Sequence, residues 1–179
     1  EMYLNTERCN GKQEAVKTYL AAQKNLTEGK EKEALGGTSA ANPGYLGTFK
    51  EYSSTKVGKL SAYNAGILKF KEGKFQEALD LLDQFSSDNK TLVAMKFGAM
   101  ADANSGLNKN DEALALLDKA ATASDDPYTS YYFTRKAGIL ALGMKKEVEA
   151  KKYFATIDEK YQDYDNGMSD SYIEMTKYY

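Results

Sequence analysis

The chain has 179 residues, 42% hydrophobic and 28% charged, enough length for one domain with a buried core. Its 24 Lys and Arg against 26 Asp and Glu leave a net charge of −2, so no basic excess stands ready for nucleic acid or an anionic membrane. Histidine is absent and cysteine occurs once, which excludes Ser-His-Asp and Cys-His catalysis, imidazole zinc sites, a histidine pH switch and an internal disulfide.

Residue 1 is Glu rather than Met, so the chain reads as a processed or cut form, and a signal or membrane anchor ahead of it is an expectation. No run of about 18 apolar residues is present to cross a bilayer. Cys9 lacks a histidine or evident cationic partner and reads as a passive thiol. Residues 11–29 predict a helix with Ala15, Tyr19, Ala22 and Leu26 on one face. Gly36 to Pro43 reads as a loop, and Tyr45 to Tyr52 as a short helix.

The next hundred residues repeat. Ala78, Leu81, Leu82 and Phe85 have the i, i+3, i+4, i+7 spacing of an amphipathic helix. So do Ala113, Leu116, Leu117 and Ala120, and then Ala150, Tyr153, Phe154 and Ile157. Twelve residues before each leading alanine stands a small residue, Gly66, Ala101 or Gly138, inside helical segments expected at 56–72, 90–106 and 128–143. Small residues there let two backbones approach while Leu82, Leu117 and Phe154 fill the next layer. Glycines at 73, 106 and 143 mark the turns, where glycine takes the left-handed conformation that closes a helix. Pro127 suits a helix start. Ser171 to Glu174 has the capping-box pattern of a last helix. Two glycosylation sequons, Asn25-Leu26-Thr27 and Asn89-Lys90-Thr91, carry little weight.

The intervals of 35 and 37 residues between Ala78, Ala113 and Ala150 lie near the period of ~34 of one helix-turn-helix repeat. With Ala62-Tyr63-Asn64-Ala65-Gly66-Ile67 and Gly73-Lys74-Phe75-Gln76-Glu77-Ala78-Leu79, the chain resembles tetratricopeptide-repeat proteins. The family's usual Trp position carries Ala62, Phe97 and Thr134 here, and its helix-ending Pro is missing. The resemblance implies an all-α fold: a right-handed α-solenoid of antiparallel helix pairs, about 3.5–4 repeats plus a C-terminal capping helix. The expected layout is a single domain over 1–179. Residues 11–52 form a divergent first repeat with an expanded loop, 56–86, 90–123 and 128–161 are clear repeats, and 168–179 is the cap. More narrowly, Gly44-Tyr45-Leu46-Gly47-Thr48-Phe49 and Ser54-Thr55-Lys56-Val57-Gly58 are similar to segments of exported, membrane-anchored repeat proteins of Gram-negative bacteria of the Bacteroidetes type. That likeness implies a periplasmic location and a tether preceding Glu1.

Catalytic and cofactor motifs fail one by one. No glycine-rich phosphate loop occurs. The cluster Asp163, Asp165, Asn166, Gly167 and Asp170 invites calcium, but with Gly167 at the sixth loop position Ile173 falls where the bidentate Glu belongs. No cofactor and no metal are expected, and the chain reads as non-enzymatic. The resemblance maps a peptide groove onto the first helix of each repeat: Leu60, Tyr63, Ile67 and Phe70, then Met95, Gly98, Asp102 and Ser105, then Tyr132, Arg135, Ile139 and Leu142. One subclass of the family clamps chaperone tails with Lys and Asn at set positions. Those positions here are Tyr63, Ile67, Ala99, Tyr132 and Lys136, so that clamp is not expected. The groove instead suits an extended or helical segment with apolar anchors. The expected function is a protein-interaction scaffold with a peptide or protein partner. Its alternatives are a self-associating homodimer, or a glycan or small-ligand module using the Tyr-rich face at Tyr131, Tyr132, Tyr153, Tyr161, Tyr164 and Tyr172.

Overall fold

A computed structural model describes residues 2–175, with side chains from Asn10 onward. The side chain of Cys9 and the last four residues of the expected cap lie outside the described residues. Within them the chain is all-helical, and no described helix is long and apolar enough to cross a membrane.

Two compact units divide the chain, Glu1–Ser86 and Ser87–Tyr179. The first holds α1 (Met2–Thr27), α2 (Glu31–Gly36), α3 (Gly44–Tyr52), α4 (Lys56–Lys71) and α5 (Phe75–Asp83). The second holds α6 (Lys90–Gly106), α7 (Asn110–Ala123), α8 (Pro127–Gly143), α9 (Glu147–Lys160), α10 (Gln162–Asp165) and α11 (Met168–Met175). The expected helices at 56–72, 90–106 and 128–143 are α4, α6 and α8.

One turn geometry recurs four times. Gly29, Gly73, Asn108 and Lys145 all take positive φ, between 59° and 76°. The next residue is a lysine each time, Lys30, Lys74, Lys109 or Lys146, with φ near −90° and ψ between 64° and 72°. Each lysine N–H donates to the carbonyl five residues back, on Asn25, Lys69, Asn104 and Ala141 respectively. The left-handed residue's own N–H donates three back. Together these bonds satisfy carbonyls that the helix end leaves unpaired, as in the Schellman motif. Each lysine carbonyl then accepts from an alanine N–H, Ala34, Ala78, Ala113 or Ala150, and all four alanines are fully buried.

The sequence reading differs from this in two respects. Glycine was expected to take the left-handed position in every turn, yet Asn108 and Lys145 take it while Gly106 and Gly143 stay helical. The first copy, Lys30-Glu31-Lys32-Glu33-Ala34, was missed altogether. It opens α2, which is cut short at Gly37, whose φ of 81° breaks the helix.

Helices that begin after a hairpin are capped differently. Thr55, Asn89 and Asp126 adopt extended backbone, and their side chains accept from the N–H of Gly58, Leu92 and Thr129. The last helix also departs from expectation. It begins at Met168, and its start is capped by Asp165 rather than by the Ser171–Glu174 box, Asp165 accepting from the Ser169 N–H at 2.6 Å and the Ser169 hydroxyl at 3.0 Å. Ser171 lies inside the helix and donates to the Met168 carbonyl.

The small residues work as close-approach points. A Cβ on Gly66 would stand 2.8 Å from Leu82 Cγ, and one on Gly138 2.8 Å from Phe154 Cζ. Each unit has its own core. Ala22, Ala34, Leu35, Tyr45, Ala65 and Leu68 form the first. Leu117, Phe133, Phe154 and Ile157 anchor the second among a set of buried alanines. In the second unit, bonds tie residues 34 or 35 positions apart: Lys90 to Asp125, Asp102 to Lys136, Asp111 to Lys146 and Asp118 to Tyr153. Hence α8 lies beside α6 in parallel register, and α9 beside α7.

Replacing Lys145 by Gly removes left-handed strain and is expected to raise unfolding free energy by about 1 kcal/mol in urea melts. A Cβ on Gly98 would stand 2.2 Å from Phe133 Cε1. Gly98→Ala is therefore expected to cost about 1–3 kcal/mol. Gly11→Ala, in α1 with nothing within 4 Å, should instead stabilise by up to about 1 kcal/mol.

Candidate interaction surface

The groove positions fall on α4, α6 and α8, and their surroundings differ. On α4, Leu60, Tyr63, Ile67 and Phe70 are all half-buried. Tyr63 packs on Phe85 with ring centroids 5.1 Å apart, and Phe70 on Phe75 at 5.5 Å. Phe75 opens α5 and Phe85 follows its end, so these two rings are spent on closing the α4–α5 hairpin. Burial also pushes the Tyr63 hydroxyl above its ordinary pKa.

In the second unit the same positions are freer. Met95 on α6 is 44% exposed, and Tyr132 and Ile139 on α8 are 47% and 38% exposed. Leu92, one turn before Met95, is 39% exposed and was not anticipated. Between the two apolar rows Asp102 pairs with Lys136 at 2.7 Å, and the Lys136 ammonium lies 6.0 Å from the Tyr132 ring centroid. Lys136, the single basic residue at the clamp positions, is thus committed within the chain. Both partners are about one-third exposed, so this pair contributes roughly 0–1 kcal/mol and acts mainly to fix the register. Ser105 and Leu142 are half-buried. Gly98 is fully covered and takes no part in a surface, because the Phe133 ring occupies the space above it.

Arg135 turns the other way. Its guanidinium carbon lies 5.7 Å from the Tyr172 ring centroid, on α11, and Tyr172 stacks on Phe154 at 5.2 Å with ring planes 5° apart. The C-terminal helix therefore covers α9 through this ring. Tyr131, Tyr128, Tyr161 and Tyr164 form a second aromatic cluster near α10, with centroids 6.0 to 6.5 Å apart where they meet. The Tyr131 hydroxyl donates to Asp165 at 3.1 Å. Burial first, then that bond, raises the Tyr131 pKa. Tyr128 and Tyr164 keep 57% and 40% of their surface exposed.

Sequence reasoning missed a polar network in the first unit. Gln23 Oε1 accepts from Tyr45 at 2.7 Å and from Tyr19 at 3.4 Å, and Asn64 donates to the Tyr19 hydroxyl at 3.1 Å. It joins α1, α3 and α4. The signal was present as Tyr19 and Gln23 one turn apart, but their partners stand 22 and 45 residues away. Val16 and Leu20 lie on α1, 41% and 57% exposed.

Among the described residues no group of three or more His, Cys, Asp or Glu is placed to hold a metal ion. Asp165, central to the calcium pattern, spends its oxygens on Tyr131 and Ser169. The arrangement offers apolar contact and single charged anchors. No protein-family model matches this chain, and comparison with curated proteins finds no match either.

Tyr45 is fully buried, and burial with the neighbouring Tyr19 pushes its pKa up to about 12. The neutral phenol is favoured in the folded state, so its contribution is intact below the unfolded pKa of about 10 and is lost as pH rises towards 12. Urea unfolding followed across that window should lose about 2–3 kcal/mol from this residue. Tyr45→Phe should remove that part of the alkaline slope, at a cost of about 1 kcal/mol at neutral pH for the lost Gln23 bond.

Proposed function

We propose that this chain is a non-catalytic helical-repeat scaffold of tetratricopeptide type, which holds a peptide segment or partner protein against the first helices of its hairpins. The observation that carries the reading is the α6–α8 face, where Met95, Tyr132 and Ile139 stand exposed on two helices locked in register by Asp102 and Lys136. Large apolar side chains on a rigid support are what an amphipathic or extended segment needs as anchor points. Four copies of one turn, and ties at a spacing of 34 or 35 residues, support the repeat architecture. The right-handed solenoid, and a separate peptide contact on α4 of the first unit at Leu60, Tyr63, Ile67 and Phe70, belong to the same proposal. So does the location in the periplasm on a membrane tether, which rests on the likeness at residues 44–49 and 54–58.

Self-association is a second reading, favoured by Val16 and Leu20 standing exposed one turn apart on α1. The test places a photo-crosslinking amino acid at Met95 or Tyr132 in cells producing the full gene product. It compares the native protein with a Met95→Ser/Tyr132→Ala/Ile139→Ser variant whose fold is checked by circular dichroism. Expected is a discrete crosslinked partner that the triple substitution weakens at least about tenfold, the scale of losing hot-spot side chains. Crosslinks only to a second copy of the chain would favour self-association. A partner retained equally by both forms would overturn the assignment of this face.

A further inference from the structure

We propose that Tyr128 and Tyr164 form an oxidative coupling site: a one-electron oxidant driven by hydrogen peroxide joins their rings as dityrosine and so fastens α10 to α8. The site owes nothing to the α6–α8 face or to any partner. It follows from which tyrosine rings meet and which of them solvent reaches.

Phenol coupling needs two tyrosine rings in contact, an oxidant that can reach both, and hydroxyl protons free to leave. The Tyr128 and Tyr164 centroids lie 6.0 Å apart with ring planes at 66°, which turns the edge of one ring to the face of the other. Both side chains are exposed, and neither hydroxyl is bonded among the described residues. The other tyrosine rings in contact each fail one requirement. Tyr19 and Tyr45 are closer, at 5.6 Å, but Tyr45 is fully buried and both hydroxyls are bonded to Gln23. Tyr131 lies 6.1 Å from both Tyr128 and Tyr164, yet it is buried and its hydroxyl donates to Asp165. Tyr161 packs on that same buried Tyr131. Tyr132 is exposed, but the ring beside it is Phe133, which has no phenol to couple.

In the reaction each phenol gives up one electron and its hydroxyl proton. The two phenoxyl radicals join through a bond between carbons ortho to the oxygens, and the two ortho hydrogens pass to the oxygens as the rings regain aromaticity. The two electrons and two protons released reduce one hydrogen peroxide to two waters. Because the rings already touch, coupling within one chain wins over coupling between chains in dilute solution. Asp165, next to Tyr164, holds Ser169 at the start of α11, so tying Tyr164 to α8 also secures the last helix. The closed loop runs the 36 positions from Tyr128 to Tyr164 and restricts the unfolded chain as a disulfide would, in a chain whose single cysteine can form none internally.

The test treats the full chain, kept dilute, with a peroxidase and hydrogen peroxide, and follows the monomer by intact mass, dityrosine fluorescence and peptide mapping. Expected is a fluorescent monomer lighter by two hydrogens, with its new bond between the peptides that carry Tyr128 and Tyr164. Tyr128→Phe and Tyr164→Phe, which keep the rings, should each lower its yield at least about tenfold, since the pair's proximity is lost as a reacting pair. Tyr161→Phe and Tyr132→Phe should not. The crosslinked monomer should unfold at a higher urea concentration than the untreated chain, and oxidised Tyr128→Phe should show no such rise. A bond mapped to another pair overturns the proposal, as does a product that survives either substitution. So does the absence of intrachain product with both the peroxidase and a small photochemical oxidant, ruthenium tris(bipyridyl) with persulfate. An unchanged urea midpoint in the crosslinked chain overturns the fastening of α10. The scaffold reading stands or falls separately, on the partner captured at Met95 or Tyr132.

Discussion

Each hairpin depends on a reversal in which one residue goes left-handed and the next lysine N–H reaches five residues back. The bonds close the outgoing helix and aim the incoming one, so that an alanine three residues after the lysine's successor is buried without remaining surface. That alanine has to be small because the helix it meets is already close. At Gly66, the carbonyl of Ala78 would stand 3.2 Å from an added Cβ. Local turn geometry and long-range packing thus share one requirement, and little tolerance remains for a bulkier residue on either side of the hairpin.

With the interior built on alanine and glycine, the larger side chains are left to layer hairpins upon one another and to face outwards. Phe133 over Gly98 and Phe154 against Tyr172 do the first, while Phe154 against Gly138 closes its own hairpin. Met95, Tyr132 and Ile139 do the second. Charged residues follow the same division. Most ion pairs in the second unit join one hairpin to the next rather than adjacent turns of one helix, as Lys90–Asp125 and Lys146–Asp111 illustrate. They cost little to form at the surface and contribute little to stability, but they select one register between parallel helices.

Helix positions were legible because apolar periodicity and small residues reported the same hairpins, and α4, α6 and α8 fall within a residue or so of the segments expected. The first reversal at Lys30 escaped because 44 residues separate Ala34 from Ala78, against 35 and 37 for the later intervals. Left-handed Asn108 and Lys145 escaped because a nearby glycine drew the expectation, although the left-handed position lies two residues beyond it. Surface residues were legible only as helix faces. Helical spacing places Arg135 near Tyr132, yet the direction its guanidinium takes is set by Tyr172, 37 positions further on. A network such as Tyr19–Gln23–Tyr45–Asn64 has no period at all, since its members meet only once three helices are packed.

The parallel register of α6 with α8 and α7 with α9 also has a mechanical consequence. Ties such as Asp102–Lys136 and Asp118–Tyr153 link each hairpin only to its neighbour, like rungs across a gap. All four ties join the same two hairpins, α6–α7 and α8–α9, at offsets of 34 or 35 residues, so one hairpin cannot slide along the other without breaking every tie together.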